Sequence, residues 1–298
     1  MSGKTKRKQV LGISRSPKFS PNSTDRDAAI FAAVSDRLLR RGYDVSVVSE
    51  DLFFTEDFAD FAAVYSMARD TETLQTLARA EKEAGVPVVN SPAALLTLTR
   101  SSLASRLDEA GVALPAHVLL RAGDGGKFSL PQGLSYPLWL KRDEGCSQQA
   151  GDVCLVRTDA EAQAALVGFA RRGVKSVLAE QHAEGDLVKF YGVEGSDFFS
   201  VTYPGDEGGF SKFGMERHNG AARHYDFSLD TLRETAARAA HAAGLSVYGG
   251  DAVVAEDGTF RLIDLNDWPS FSSCRKAAAR AIAERICHAA EHEDAQTL

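Results

Sequence analysis

The chain has 298 residues with a formal net charge of −7 at pH 7, 25% charged and 44% hydrophobic residues, enough for about two domains and a sizeable core. This balance argues against general nucleic-acid binding though not against a local basic pocket, and no apolar run approaches the roughly 20 residues of a membrane helix. The basic start Met1–Lys8 is followed only by the short apolar stretch Val10–Ile13, and Cys146, Cys154, Cys274 and Cys287 lack zinc-like spacing, so a cytoplasmic protein with reduced thiols is expected.

In chain order, Lys8–Ser14 reads as a strand, Ser23–Arg41 as a helix, Asp44–Ser49 and Phe61–Ser66 as strands, Asp70–Ala84 as a helix and Val86–Asn90 as a short strand. Alternation of this kind predicts a parallel sheet covered by helices. The loop from Ser14 to Ser23 follows a strand and precedes a helix. Arg15, Lys18 and Ser20 there are either acceptor-site residues or part of a Pro-rich surface turn with Ser23 as helix cap. Ser91–Gly111 reads as one helix stopped by Gly111, and the domain boundary is placed near residue 95, giving units 1–95 and 96–298.

After Pro115 the texture changes to strands at His117–Leu120, Tyr136–Lys141, Val153–Val156, Ser176–Glu180 and Leu187–Tyr203, with helices at Asp159–Arg172 and Leu229–Gly244. A final helix, Ser273–His292, has an Ala, Ile and Cys face opposite a charged face, with Glu291 onward as a fraying end. The fold class is therefore α/β, becoming α+β in the C-terminal part.

Four segments carry chemistry. Lys141 ends an apolar strand and leads into the small, polar loop Gly145–Gly151, which includes Ser147; this is a phosphate cradle or a solvated hairpin. Glu180, Gln181, His182 and Ala183 sit where an apolar strand turns polar, so their backbone either reads an adenine edge or simply ends a strand. Lys189 lies between apolar residues on a strand, as a snorkelling lysine also would. Ala252–Ala255 and Phe260–Leu265 flank the hairpin signal Glu256-Asp257-Gly258, which puts Asp251 and Asp264 on neighbouring antiparallel strands and Asn266 on the same face as Asp264. Two carboxylates and an amide oxygen without Cys or His suit a hard cation such as magnesium. The plainer alternative is an acidic turn and a strand end.

Taken together and in order, these segments resemble the ATP-grasp superfamily over about residues 90 to 290. Asn90-Ser-Pro92 followed by Arg100, fifteen residues before Pro115, is similar to the segment in which a phosphate-touching lysine precedes a Gly-x-x-x-Pro-like turn, with arginine keeping the charge here. Lys141 is similar to the second phosphate-binding lysine. The loop with Ser147 resembles the mobile small-residue loop, and Glu180 to Ala183 the hinge that holds adenine and ribose. Asp251, Asp264 and Asn266 resemble the metal triad, and the Asp-x-Asn-x-x-Pro ending is the most specific match.

The resemblance implies an ATP-grasp fold with an N-terminal parallel α/β domain, and ATP with Mg2+ (or Mn2+) as cofactors. It implies a carboxylate–amine or carboxylate–thiol ligase that acts through an acyl phosphate on a small molecule or peptide, with Lys189 and Arg275 catalytic. It further implies a homodimer, while the charge and the lack of a long apolar run argue against a nucleic-acid or membrane partner. Two residues depart from the peptide-forming members: Lys189 stands where they generally carry Arg, and Asp264 where they carry Glu. Both departures resemble the inositol trisphosphate kinase branch, so a small-molecule kinase is the alternative and a non-catalytic nucleotide-binding module the third. A polyphosphate acceptor would use the basic stretch Lys212, Arg217, His218, Arg223 and His224, with Arg275 and Lys276. Ser270, Phe271, Ser272, Ser273 and Arg275 are expected to face the acceptor, and a helix start at Ser273 is either an anion site or plain capping.

Overall fold

The computed structural model describes residues 7–54, 57–123, 128–144, 149–204 and 220–292. Strands β1 (Gln9–Ser14), β2 (Asp44–Ser49), β3 (Phe61–Ser66) and β4 (Val88–Val89) form a parallel sheet in the order β2-β1-β3-β4. The apolar runs in β1 and β3 are those of strands covered on both faces. Helix α1 (Thr24–Arg40) contributes Ile30, Phe31, Val34 and Leu38 to the core on one side. Helix α2 (Thr71–Arg79) begins at Asp70, whose carboxylate accepts the Glu72 and Thr73 N–H groups, and runs on as a π turn over Ala80–Ala84.

The stretch expected to be one helix from Ser91 to Gly111 is two, α3 (Pro92–Leu96) and α4 (Arg100–Glu109). The break is a capping box. Thr99 Oγ1 accepts the Ser102 N–H at 3.1 Å, and Ser102 Oγ accepts the Thr99 N–H at 2.8 Å, so a new helix starts there and Arg100 stands in its first turn.

The second sheet is antiparallel: β5 (His117–Arg121), β6 (Leu138–Arg142), β7 (Val153–Val156) and β8 (Ser176–Gln181) in the order β5-β8-β6-β7. Helix α5 (Asp159–Arg171) lays Ala162, Leu166 and Phe169 on it. In the third sheet β9 (Asp186–Val193), β10 (Phe199–Thr202), β11 (Val247–Val254) and β12 (Phe260–Asp267) run antiparallel as β10-β9-β11-β12. The strand expected from Leu187 to Tyr203 is thus a hairpin. Gly195 takes φ 71° and Ser196 caps the turn by donating its hydroxyl to the Val193 carbonyl at 2.8 Å, both turn-forming features. Helix α6 (Leu229–Ala243) covers the third sheet next to α4.

The last helix, α7 (Arg275–His292), starts two residues later than expected because a turn at Phe271, φ 48°, with Cys274 N–H donating to the Phe271 carbonyl, precedes it. It packs against α1 and β3 of the first sheet: Ala278, Ile282, Ile286 and Ala290 share a core with Val34, Leu38, Tyr65 and Met67. Asn90, buried at the end of β4, ties the same sheet to β11. Its amide donates to the Val247 carbonyl at 2.8 Å and its oxygen accepts the Ser246 and Val247 N–H groups at 2.8 and 2.6 Å. Among the described residues no helix is long and apolar enough to cross a membrane.

Candidate functional site

The antiparallel register of the third sheet sets three chemistry-bearing residues abreast: Lys189 on β9 pairs with Asp251 on β11, and Asp251 with Asp264 on β12. Cross-strand partners have side chains on one face. Lys189 Nζ accordingly lies 3.0 Å from Asp251 Oδ1, and Asn266, two residues along β12, donates its amide to Asp264 Oδ2 at 3.1 Å. Gly250 lets the strands approach here, because a Cβ on it would lie 2.3 Å from the Asp264 carbonyl oxygen and 2.5 Å from the Phe190 ring.

The remaining cations converge on this row from other elements. The capping box that starts α4 brings Arg100 Nη1 to 3.2 Å from Asp264 Oδ1. Lys141 on β6 donates to Glu180 Oε1 at 2.6 Å, its diagonal neighbour on β8, and to the Ile263 carbonyl of β12 at 2.9 Å, so one buried ammonium joins the second sheet to the third. Burial pushes the Asp264 carboxyl up, but Arg100, Lys141, the Asn266 amide and Lys189 outweigh it and hold the group below the ordinary aspartate value.

Asp251, Asp264 and Asn266 are an all-oxygen donor set. Among the described residues no group of three or more His, Cys, Asp or Glu is placed to hold a metal ion, and a cation held by Asp251, Asp264 and Asn266 would have two carboxylates and an amide as its protein ligands. That set fits a hard divalent cation that keeps water and phosphate oxygens, and does not fit zinc. Each carboxylate is paired with a basic side chain, so a divalent ion bound there would compete with Lys189 and Arg100 and turn their charge toward phosphate.

In the segment expected to read adenine, two backbone donors are taken up by the sheet. The Gln181 and His182 N–H groups donate to the Ala116 and Pro137 carbonyls at 2.8 and 3.0 Å, extending β8 between its two neighbours, so the sheet uses these donors. His182 Nδ1 accepts from Trp139 Nε1 at 3.0 Å. Glu180 is buried, and Gln181, His182 and Ala183 are half-buried. Ser147, Lys212, Arg217 and His218 lie outside the described residues. Both flanks of the Ser147 loop are anchored. Asp143 accepts the Ser101 N–H and hydroxyl at 2.8 and 3.0 Å, and buried Asp152 faces Arg142 and Arg172. Of the other basic residues, Arg223 donates to the Tyr225 hydroxyl at 2.7 Å, His224 packs on the Tyr203 ring and Lys276 is exposed.

Arg275 is half-buried at the first residue of α7. Between its segment and the Lys189 row stands Tyr191, which packs on Phe271 and lies beside Lys189 and Asp251, its phenol pushed up to about 12 by burial. The Lys-x-Tyr pattern of β9, a feature shared with the kinase branch of the resemblance, sets Tyr191 two residues after Lys189 on the same strand face.

In the loop after β1 the three residues singled out are turned to partners within the protein. The Arg15 side chain, 8% exposed, donates to the Met67 carbonyl at 3.0 Å, to Asp27 at 3.1 Å, and to Asp267 and the Trp268 carbonyl at 3.4 and 3.3 Å. Ser20 donates its hydroxyl to Asp27, and Lys18 lies on the surface 3.7 Å from Asp51 and Asp70. Phe19 of this loop lines the larger of the two cavities at the row.

Two cavities meet at the row. One, of about 30 Å³, lies between the second and third sheets and is lined by Lys141, Glu180, Leu107, Leu178 and Leu262. The other, of about 150 Å³, opens toward the first sheet and is lined by Phe19, Ala68, Arg69, Leu74, Leu95 and Leu98. Arg100, Leu103, Asp264 and Leu265 belong to both walls.

No protein-family model matches the sequence, and no curated protein matches it. Solved structures do. A RimK domain ATP-grasp protein from Sphaerobacter thermophilus DSM 20745 superposes with a TM-score of 0.66 at 20% identity, covering 94% of this chain and 99% of its own. The D-alanine–D-alanine ligase of Bacillus anthracis, complexed with ATP, gives a TM-score of 0.67 at 11% identity, covering 97% and 99%. The ATP-grasp ligase PsnB, complexed with the precursor peptide PsnA2 and AMPPNP, gives 0.58 at 16% identity, covering 95% and 98%. These likenesses span nearly the whole of each chain, and the three-sheet architecture described above is the ATP-grasp fold.

Proposed function

We propose that this chain is an ATP- and magnesium-dependent ligase that activates a carboxylate as an acyl phosphate and joins it to an amine or thiol. The observation that carries the reading is the meeting of the two cavities at Arg100 and Asp264. A nucleotide held between the second and third sheets would have its phosphates at Lys141, Arg100 and Lys189, next to a second cavity large enough for an acceptor. The 30 Å³ space there is smaller than a base, so on this reading the second and third sheets part to admit the nucleotide, and Leu107, Leu178 and Leu262 are the apolar walls they would offer it. Phosphoryl transfer needs little covalent chemistry from the protein, so positioning and positive charge around the transferred group are what these three cations supply. Magnesium, held by Asp251, Asp264 and Asn266, would add charge neutralisation on the phosphate oxygens.

The acceptor-side wall favours a ligase over a polyphosphate kinase. Apart from Arg69 and Arg100 that wall is largely apolar, with Phe19, Leu74, Leu95, Leu98 and Leu103, a poor match for several phosphate groups. The test is phosphorus NMR with ATP, magnesium and a small-metabolite extract. ADP with equimolar free phosphate, dependent on the extract, is expected; ADP with a new phosphoester and little free phosphate would replace the ligase with the kinase.

A further inference from the structure

We infer that the 150 Å³ cavity receives the substrate to be activated as a small carboxylic acid with an apolar side chain, and that Arg69 selects its carboxylate. This rests on the ligase reading above. The cavity is walled by apolar side chains from four places in the chain: Phe19 from the loop after β1, Leu74 from α2, Leu95 from α3, and Leu98 and Leu103 around the start of α4. Its volume is on the order of five liquid waters, which suits one aliphatic or aromatic side chain. The Arg100–Asp264 end of this wall adjoins the phosphate side, so the acid would lie with its carboxylate toward that end.

Arg69 is the cation that the first sheet contributes to this wall, and it is held at both ends. Its backbone N–H donates to buried Glu50 at 2.7 Å, beside the Asp70 N–H at 2.9 Å on the same oxygen. Its guanidinium pairs with buried Asp267, which Arg15 grips from the other side. A planar guanidinium with five donors can hold a second carboxylate while keeping the first, so Asp267 orients Arg69 and the substrate supplies the second acid. In the step this serves, a carboxylate oxygen bonds to the γ-phosphorus as the bond to the β,γ-bridging oxygen breaks, ADP leaving with that electron pair. An amine then attacks the acyl carbon, phosphate departs, and the nitrogen loses a proton to solvent.

Hydroxylamine as the amine makes the test independent of the natural one. The full chain is first titrated calorimetrically with AMPPNP and magnesium, then given ATP, magnesium, hydroxylamine and, separately, leucine, phenylalanine, 3-methylbutanoate, glutamate, succinate and a leucine-ended tripeptide, with hydroxamate read by mass spectrometry. The expected result is hydroxamate from the free acids with apolar side chains. Arg69→Lys and the cavity-filling Leu98→Trp should each raise KM for the acid tenfold or more and leave AMPPNP affinity unchanged, a split that a general loss of folding would not produce. Nucleotide binding with hydroxamate only from glutamate, succinate or the tripeptide, or with KM unmoved in both variants, overturns the inference and leaves the ligase reading standing. Absence of AMPPNP binding takes away the ligase reading and the inference with it.

Discussion

Arg15→Met is the perturbation whose size the structure sets most directly. The native side chain, 8% exposed, holds four acceptors on three parts of the chain: the Met67 carbonyl after β3, Asp27 on α1, and Asp267 with the Trp268 carbonyl at the end of β12. Methionine keeps most of the apolar stem, so the packing loss is small and the effect is that of removing a buried charge. Breaking a buried ion pair from one side costs about 3–5 kcal/mol. Asp267 retains Arg69 and Asp27 retains the Ser20 hydroxyl, which places the expected loss at the low end, about 3 kcal/mol. At roughly 2 °C per kcal/mol for a chain of this size, the transition should fall by about 6 °C. Urea and thermal unfolding followed by circular dichroism and tryptophan fluorescence check this. Arg15→Met/Asp27→Asn should recover about 1 kcal/mol, since it removes one of the stranded charges. A loss below about 1 kcal/mol, or a double variant as unstable as the sum of the singles, would refute the clamp.

Asp251→Asn and Asp264→Asn should each abolish turnover while the unfolding free energy changes by less than about 1 kcal/mol, because the ion pairs lost are partly exposed; wild-type rates in both would remove the metal ligands from the mechanism. Glu194 titrates below the ordinary glutamate range: burial pushes it up, but the Ser246 hydroxyl, Arg285 and His241 outweigh that. A depressed carboxyl stabilises the fold above its unfolded pKa and loses that contribution as pH falls. The melting advantage of wild type over Glu194→Gln should therefore be present at pH 7 and shrink below about pH 4.5; an advantage that does not change with pH would count against the pairing. The Cys154 thiol is pushed up to about 11 by burial, with Arg172 opposing. Its thiolate fraction at pH 8 should be roughly two orders of magnitude below that of an ordinary cysteine. Peptide-resolved alkylation kinetics at pH 8 should show it among the slowest sites, and a rate like that of free cysteine would disprove the burial.

Much of the fold and part of the site were legible in the sequence because they rest on short-range rules. The strand–helix alternation before residue 90 announced the parallel sheet, and the Asp257-Gly258 turn between two apolar runs announced the hairpin whose register sets Asp251 opposite Asp264. Strand periodicity put Asn266 on the face of Asp264 and Tyr191 on that of Lys189. Other features leave only a weak local signature or none. The break at Thr99 is written in side chains that cap one another, and it turns Arg100 from a mid-helix residue into one beside Asp264. The amphipathic pattern of α7 shows that the helix has an apolar face, but not that the face packs on the first sheet against Val34, Leu38 and Tyr65. Arg15 and Asp267 are 252 residues apart, and their pairing follows from how the first and third sheets are brought together. Periodicity and turn chemistry act over a few residues and so determined which elements form and which face each residue takes. Which faces meet, and therefore which charges are buried together and where two cavities share a wall, depends on long-range packing that only the tertiary structure decided.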